Sequence, residues 1–82
     1  MTEYERYLRR VALYHHERPA QAEGQAAFNQ LVRERPDIAD EIRGGELDPF
    51  HDDERLPAFL DHLAARMTRT VHFAPHPGEN WP

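Results

Sequence analysis

Leu56, Phe59, Leu60, Leu63, Ala64 and Met67 recur at i, i+3, i+4, i+7, i+8, i+11, the spacing of one helical face. Asp61, His62, Ala65 and Arg66 fill the positions between them. A helix over 56–67 carrying that stripe cannot face water on all sides, so the segments before it must cover it. Tyr4, Tyr7, Leu8, Val11 and Ala12 form a first apolar face, extended by Tyr14 and His15. Thr2 and Glu5 stand at the N-cap and N3 positions of a capping box, and Glu5–Arg9 is an i, i+4 pair in the favourable order. Pro19 biases Arg18 away from helical backbone, which ends this helix near Glu17.

Pro19 is expected in the first turn of a second helix, whose inward positions are Gly24, Ala27, Phe28, Leu31 and Val32. Gly24 costs about 1 kcal/mol against Ala inside a helix, so it marks either a close approach or the true helix start. Pro36 closes that segment and opens a short third one. Ile38, Ala39 and Ile42 face inward there, and Gly44-Gly45 stop it. About eight residues are too few to be helical alone, so packing must hold them. Asp48-Pro49 then opens a turn, with Leu47 and Phe50 as anchors and Asp48 able to accept from backbone N–H groups beyond it. Asp52 or Asp53 is placed to cap the last helix, which starts near Glu54 with Pro57 in its first turn and ends with Thr68 to Thr70. The expected architecture is all-α: a small bundle of three main helices plus a short helical turn, forming one domain over 1–70. Residues 71–82, with Pro75, Pro77 and Pro82, form a Pro-rich tail expected to be extended or partly disordered, with Phe73 and Trp81 as its candidate anchors.

Charge changes this picture. The chain has 82 residues and a formal net charge of −5. Residues 1–33 hold five Arg against four acids, a balance of +1. Residues 34–61 hold ten acids against three Arg, a balance of −7. Residues 62–82 return to +1. An acidic middle argues against general nucleic-acid binding, which needs a positive footprint. All ten basic residues are Arg. A GC-rich genome accounts for that, the functional alternative being bidentate contacts at an interface.

The string Gly24-Gln25-x-x-Phe28-Asn29-x-Leu31, followed by Arg35-Pro36-Asp37-Ile38-Ala39, Ile42-Arg43-Gly44, Leu47-Asp48-Pro49-Phe50 and Arg55-x-Pro57-x-Phe59, resembles a family of short helical proteins. Many of these are encoded by bacteriophages or by phage genes in bacterial genomes. The resemblance spans residues 4–67. This chain departs from it at Ala22-Glu23, where the family has a Trp or another large residue, and at Gly44-Gly45, where the family favours Gly-Thr. It implies an all-helical fold and a phage origin. The family has no settled activity, so no mechanism comes with it.

Catalytic and metal chemistry find little support in the residues. The chain has no Cys and no Ser, so it offers no disulfide, no thiolate site and no serine or cysteine triad. The lack of Cys fits a reducing compartment. No Gly-rich phosphate loop is present, since Gly44-Gly45 ends a helix and Lys is missing. The acids around Asp48, Asp52 and Asp53, with His51, lack EF-hand spacing and fit a turn plus an N-cap. His15-His16-Glu17 is not a zincin motif, and Pro75 separates His72 from His76. No catalytic residue, metal ligand or cofactor is assigned. The amino terminus lacks the pattern of a signal peptide, and no apolar run reaches the ~20 residues of a membrane span. A cytoplasmic location is therefore expected.

The expected function is that of a small acidic accessory protein docking on a host or phage protein through the 37–54 face. Its candidate contact residues are Asp37, Asp40, Glu41, Glu46, Asp48, His51, Asp52 and Asp53, with Trp81 from the tail. Such a face would steer a basic partner toward it. The alternatives are a nucleic-acid mimic that inhibits a DNA- or RNA-binding protein, and a structural homodimer built on Tyr4, Tyr7 or Trp81. On this reading, reversing Asp52 and Asp53 to Arg removes partner capture and leaves the fold intact. Leu60→Ala, at an expected core position, costs about 2–5 kcal/mol in a denaturant titration.

Overall fold

The computed structural model describes residues 1–70. The Pro-rich tail, including Phe73 and Trp81, lies outside the described residues. Four α-helices follow one another: α1 Glu3–Glu17, α2 Glu23–Glu34, α3 Pro36–Ile42 and α4 Leu56–Arg66. A 3-10 turn, Asp53–Arg55, leads into α4. The fold is all-α; the one extended pairing among the described residues is an isolated antiparallel bridge between Thr2 and Thr70. No described helix is long and apolar enough to cross a membrane.

The start of α1 is capped twice over. Thr2 Oγ1 accepts from Glu5 N at 3.1 Å, and Glu5 Oε1 accepts from Thr2 N at 2.8 Å, which is the capping box. The two N–H groups ahead of Glu5 are satisfied from the other end of the chain: Glu3 N donates to Arg69 O at 2.8 Å and Tyr4 N to Met67 O at 3.2 Å. Residues 67–70 therefore do not finish α4, contrary to the helix end expected at Thr68 to Thr70. They leave the helix after Arg66 and cross the foot of α1.

Pro19 falls in the turn between α1 and α2, since α2 begins only at Glu23. Its N-cap, Ala22, has no side chain able to accept a hydrogen bond. Gly24 lies in the first turn and donates its N–H to Asp53 Oδ1 at 2.9 Å, so the cap comes from 29 residues further on. A Cβ at Gly24 would lie 2.2 Å from Pro49 O and 2.7 Å from Asp53 Oδ1. Both readings of this glycine hold: it is at the helix start, and it admits the loop of residues 43–55 against α2.

The core is built from Tyr7 of α1, Ala27, Phe28 and Leu31 of α2, Ile38, Ala39 and Ile42 of α3, and Phe59, Leu63 and Met67 from α4 and its end. Tyr7 is fully buried and its hydroxyl donates to Ala27 O at 2.5 Å. Burial first, then the nearby Glu34 charge and Tyr4, push this phenol far above its ordinary range. Leu47 and Phe50 pack against the core as the sequence pattern suggests, and Pro49 between them is fully buried.

The α4 stripe is narrower than its periodicity implies. Phe59, Leu63 and Met67 are buried, Leu56 and Leu60 are half-buried, and Ala64 is exposed. The buried leucine suited to a cavity test is thus Leu63, not Leu60. Tyr4 is half-buried against the core, whereas Tyr14 sits at its margin with the Arg18 guanidinium 4.1 Å and that of Arg33 5.7 Å from its ring centroid.

Gly24→Ala inverts the usual helix preference. Ala is favoured over Gly by about 1 kcal/mol in an open helix. Here the added methyl must displace backbone, so the variant is expected to lose about 1–3 kcal/mol in a urea titration. A gain in stability would show that the loop does not lie against α2.

Candidate functional site

The acidic segment divides into two neighbourhoods. The first lies where α3 meets α1 and α4. Arg35, at the junction of α2 and α3, reaches both ways: Nη1 donates to Glu3 Oε1 at 3.0 Å and Oε2 at 2.9 Å, while Nε and Nη2 donate to the two Asp37 oxygens at 3.0 and 2.9 Å. Arg69 Nη2 adds a contact to Glu3 Oε2 at 3.2 Å. The Glu3 carboxylate is 4 % exposed, so this is a buried anion held by two guanidiniums. Burial alone would raise its pKa; the hydrogen bonds and charges of Arg35 and Arg69 together outweigh that and hold it below the ordinary value. Asp37, on the exposed side of Arg35, is held down to about 2, chiefly by the Arg35 hydrogen bonds. Glu41 pairs with Arg66 of α4, and that contact lowers its pKa. Asp40 is 74 % exposed at its side chain, and among the described residues its one ion pair is with Arg43, at 3.4 Å.

The second neighbourhood is the loop of residues 43–55. Gly44 takes φ +76°, the left-handed backbone that ends α3 at no steric cost. Asp48 then ties the loop to itself, with Oδ2 accepting from Gly44 N at 2.8 Å and Oδ1 from Phe50 N at 2.9 Å. Asp52 Oδ1 accepts from Glu54 N at 2.9 Å and so caps the 3-10 turn. Asp53 caps α2 instead, as described above. Arg55 Nη1 donates to Gly45 O at 2.9 Å and its Nε lies 3.5 Å from Asp52 Oδ2, drawing the two ends of the loop together. Phe50 meets Phe28 edge-on at 6.1 Å between centroids, and His51 meets Phe50 edge-on at 4.7 Å.

Two shallow clefts adjoin at Asp48 and His51. One, about 360 Å³, is lined by Phe28, Val32 and Phe50 with Arg43 at its rim. The other, about 370 Å³, lies over Gly44, Gly45, Asp52 and Arg55. Glu46, His51 and Glu54 stand exposed, and their side chains hold no hydrogen bond or ion pair among the described residues.

The sequence-derived contact residues therefore do not form one uniform patch. Asp48, Asp52 and Asp53 hold backbone N–H groups, and Asp37 and Glu41 hold arginines. Glu46, His51 and, more loosely, Asp40 are left to face solvent; Trp81 lies outside the described residues. Reversing Asp53 would remove the cap of α2, so the Asp52/Asp53 reversal destabilises the fold where the sequence pattern led to an intact one. Sequence reasoning missed the Glu3–Arg35–Arg69 cluster and the cap from Asp53 to Gly24, because both join residues remote in the chain. The signals were present as Arg35-Pro36-Asp37 and as a glycine in the first turn of a helix lacking its own cap. Among the described residues no three His, Asp or Glu side chains converge as a metal site.

Searches of protein-family models, curated proteins and solved structures return no match to this chain.

The cluster at Glu3 sets a pH dependence. A carboxylate with a folded pKa below its unfolded one contributes stability that is complete above the unfolded value and is lost as pH falls through the folded one. The protein should therefore lose stability as pH drops from about 4.5 toward about 2, the range spanned by the ordinary Glu3 value and the lowered Asp37 value. Glu3→Gln should cost about 1.5–3 kcal/mol at neutral pH and flatten that acid limb, read from urea midpoints across the range. An unchanged acid limb in the variant would show that Glu3 is not the linked group.

Proposed function

We propose that this protein is a small acidic binding module without chemistry of its own, docking on a protein partner through the 37–54 face. The observation that carries the reading is the division of labour among its acids. Asp48, Asp52 and Asp53 fix the loop, while Glu46 and Glu54 project from it and Asp40 from the neighbouring α3 with their charge uncommitted or nearly so. A rigid loop bearing free carboxylates loses little conformational entropy on binding, which favours recognition. The free acids steer a basic partner, and the cleft walled by Val32 and Phe50 beside His51 offers a seat for an apolar side chain. The resemblance to short phage-encoded proteins makes a host or phage protein in the cytoplasm the natural partner.

The test uses Glu46 and Glu54, whose carboxylates hold no partner among the described residues. Glu46→Arg combined with Glu54→Arg should weaken capture of the partner about tenfold or more, a loss above 1.4 kcal/mol, with the urea midpoint unchanged. Capture that survives the double reversal would remove the loop face as the site. Release of the captured partner by duplex DNA would instead identify it as a nucleic-acid-binding protein and the acids as a mimic.

A further inference from the structure

α1 carries an apolar ridge beyond the one that builds the core. Leu8 is 37 % exposed, and Ala12, one turn on, is exposed as well. With Val11 they face Leu56 and Leu60 of α4 across an open groove of about 260 Å³, floored by Ala27 of α2. This explains why Leu56 and Leu60 are only half-buried despite lying on the α4 stripe. Leu8, Val11, Ala12, Leu56 and Leu60 thus form one apolar strip running across two helices.

The charges around the groove are mostly of one sign. Glu23 lines it at the α2 end. Glu5 lies one turn before Leu8 on the same ridge, Asp61 follows Leu60, and Glu54 precedes Leu56 by two residues; all three are exposed. His15 also lines the groove, and of the exposed arginines beside it Arg10 is paired with Glu34 and Arg55 with Asp52, which leaves Arg9 next to Leu8. The Leu56 end adjoins the acidic loop, since Asp53 is bonded to Gly24 next to Glu23.

We infer that the groove between α1 and α4 receives an amphipathic helix of the partner, its apolar face flanked by Lys or Arg. Helix-in-groove recognition places anchors at i, i+3 or i+4 and i+7, which suits a groove lined along two helices. A second copy of the chain is a poor occupant. Groove-to-groove pairing would set Glu5, Glu23 and Asp61 of two chains, each with net charge −5, near one another. The inference rests on the proposed function for its basic partner and adds the element of that partner that is recognised.

The probe is a synthetic helical peptide with Leu at the anchor positions and Lys on its flanks, titrated into the full chain by fluorescence anisotropy. Its counterpart carries Glu in place of Lys. The Lys peptide should bind about tenfold or more tightly than the Glu peptide, and Leu8→Glu should weaken it by a similar factor. Leu8→Glu adds a negative charge, so electrostatics alone would strengthen binding; weakening therefore reports the apolar contact. Ala12→Glu, also at an exposed position, is the second variant. Equal binding to parent and both variants, or no preference for Lys over Glu, overturns the inference while leaving the loop reading to its own Glu46 and Glu54 test. A parent dimer that Leu8→Glu converts to monomer in light scattering makes a second copy the occupant and overturns it. A Trp81 emission shift caused by Leu8→Glu without peptide makes the tail the occupant and also overturns it.

Discussion

The second helix begins without a cap of its own, and the way that need is met organises the acidic half of the molecule. Asp53 supplies the missing acceptor to Gly24, and the absence of a Cβ at Gly24 lets Pro49 O approach. One contact thereby satisfies a helix end, seats a buried proline and places Phe50 against Phe28. It also brings the start of α4 to the start of α2. An N-cap is worth about 0.5–2 kcal/mol, and here the same carboxylate fixes a loop that would otherwise pay its own ordering entropy.

The opposite end of the bundle is closed by a different device. Glu3 is taken out of water in the first turn of α1 and met by Arg35 from the α2–α3 junction and Arg69 from the segment after α4. A buried carboxylate is tolerable only with such partners. The carbonyls of Met67 and Arg69 complete the closure by accepting from α1 N–H groups. Asp53, with Asp37 and Glu41 on arginines and Asp48 and Asp52 on backbone N–H groups, makes five of the ten acids of residues 34–61 that are committed to structure. The partner-facing charge is smaller and more sharply placed than the sequence total suggests. The apolar groove beside α1 gives that charge something to frame.

Local signals were legible in the sequence. The capping box at Thr2 and Glu5, the end of α1 before Pro19, the span of α3 between Pro36 and Gly44, and Pro57 in the first turn of α4 each depend on residues within a few positions of one another. Where the reading slipped, tertiary contacts decided. Pro19 belongs to a turn because α2 waits for the loop to supply its cap. Residues 68–70 are extended because the foot of α1 offers N–H donors to the carbonyls of Met67 and Arg69. Leu60 satisfies a helical period yet packs only at the edge of the core, and Ala64 is exposed, since periodicity fixes a face and not its width. The acids of 37–54 were found as a composition, but sequence could not divide them into those that hold the fold and those that meet a partner.

The account turns on whether the 43–55 loop is held against α2. Hydrogen exchange at the Gly24 amide reads this directly, because the second N–H of a helix ordinarily has no intrahelical acceptor and exchanges freely. With Asp53 bonded to it, Gly24 should exchange as slowly as amides in the interior of α2, and Asp53→Ala should release it. Rapid exchange at Gly24 in the parent chain would contradict the account.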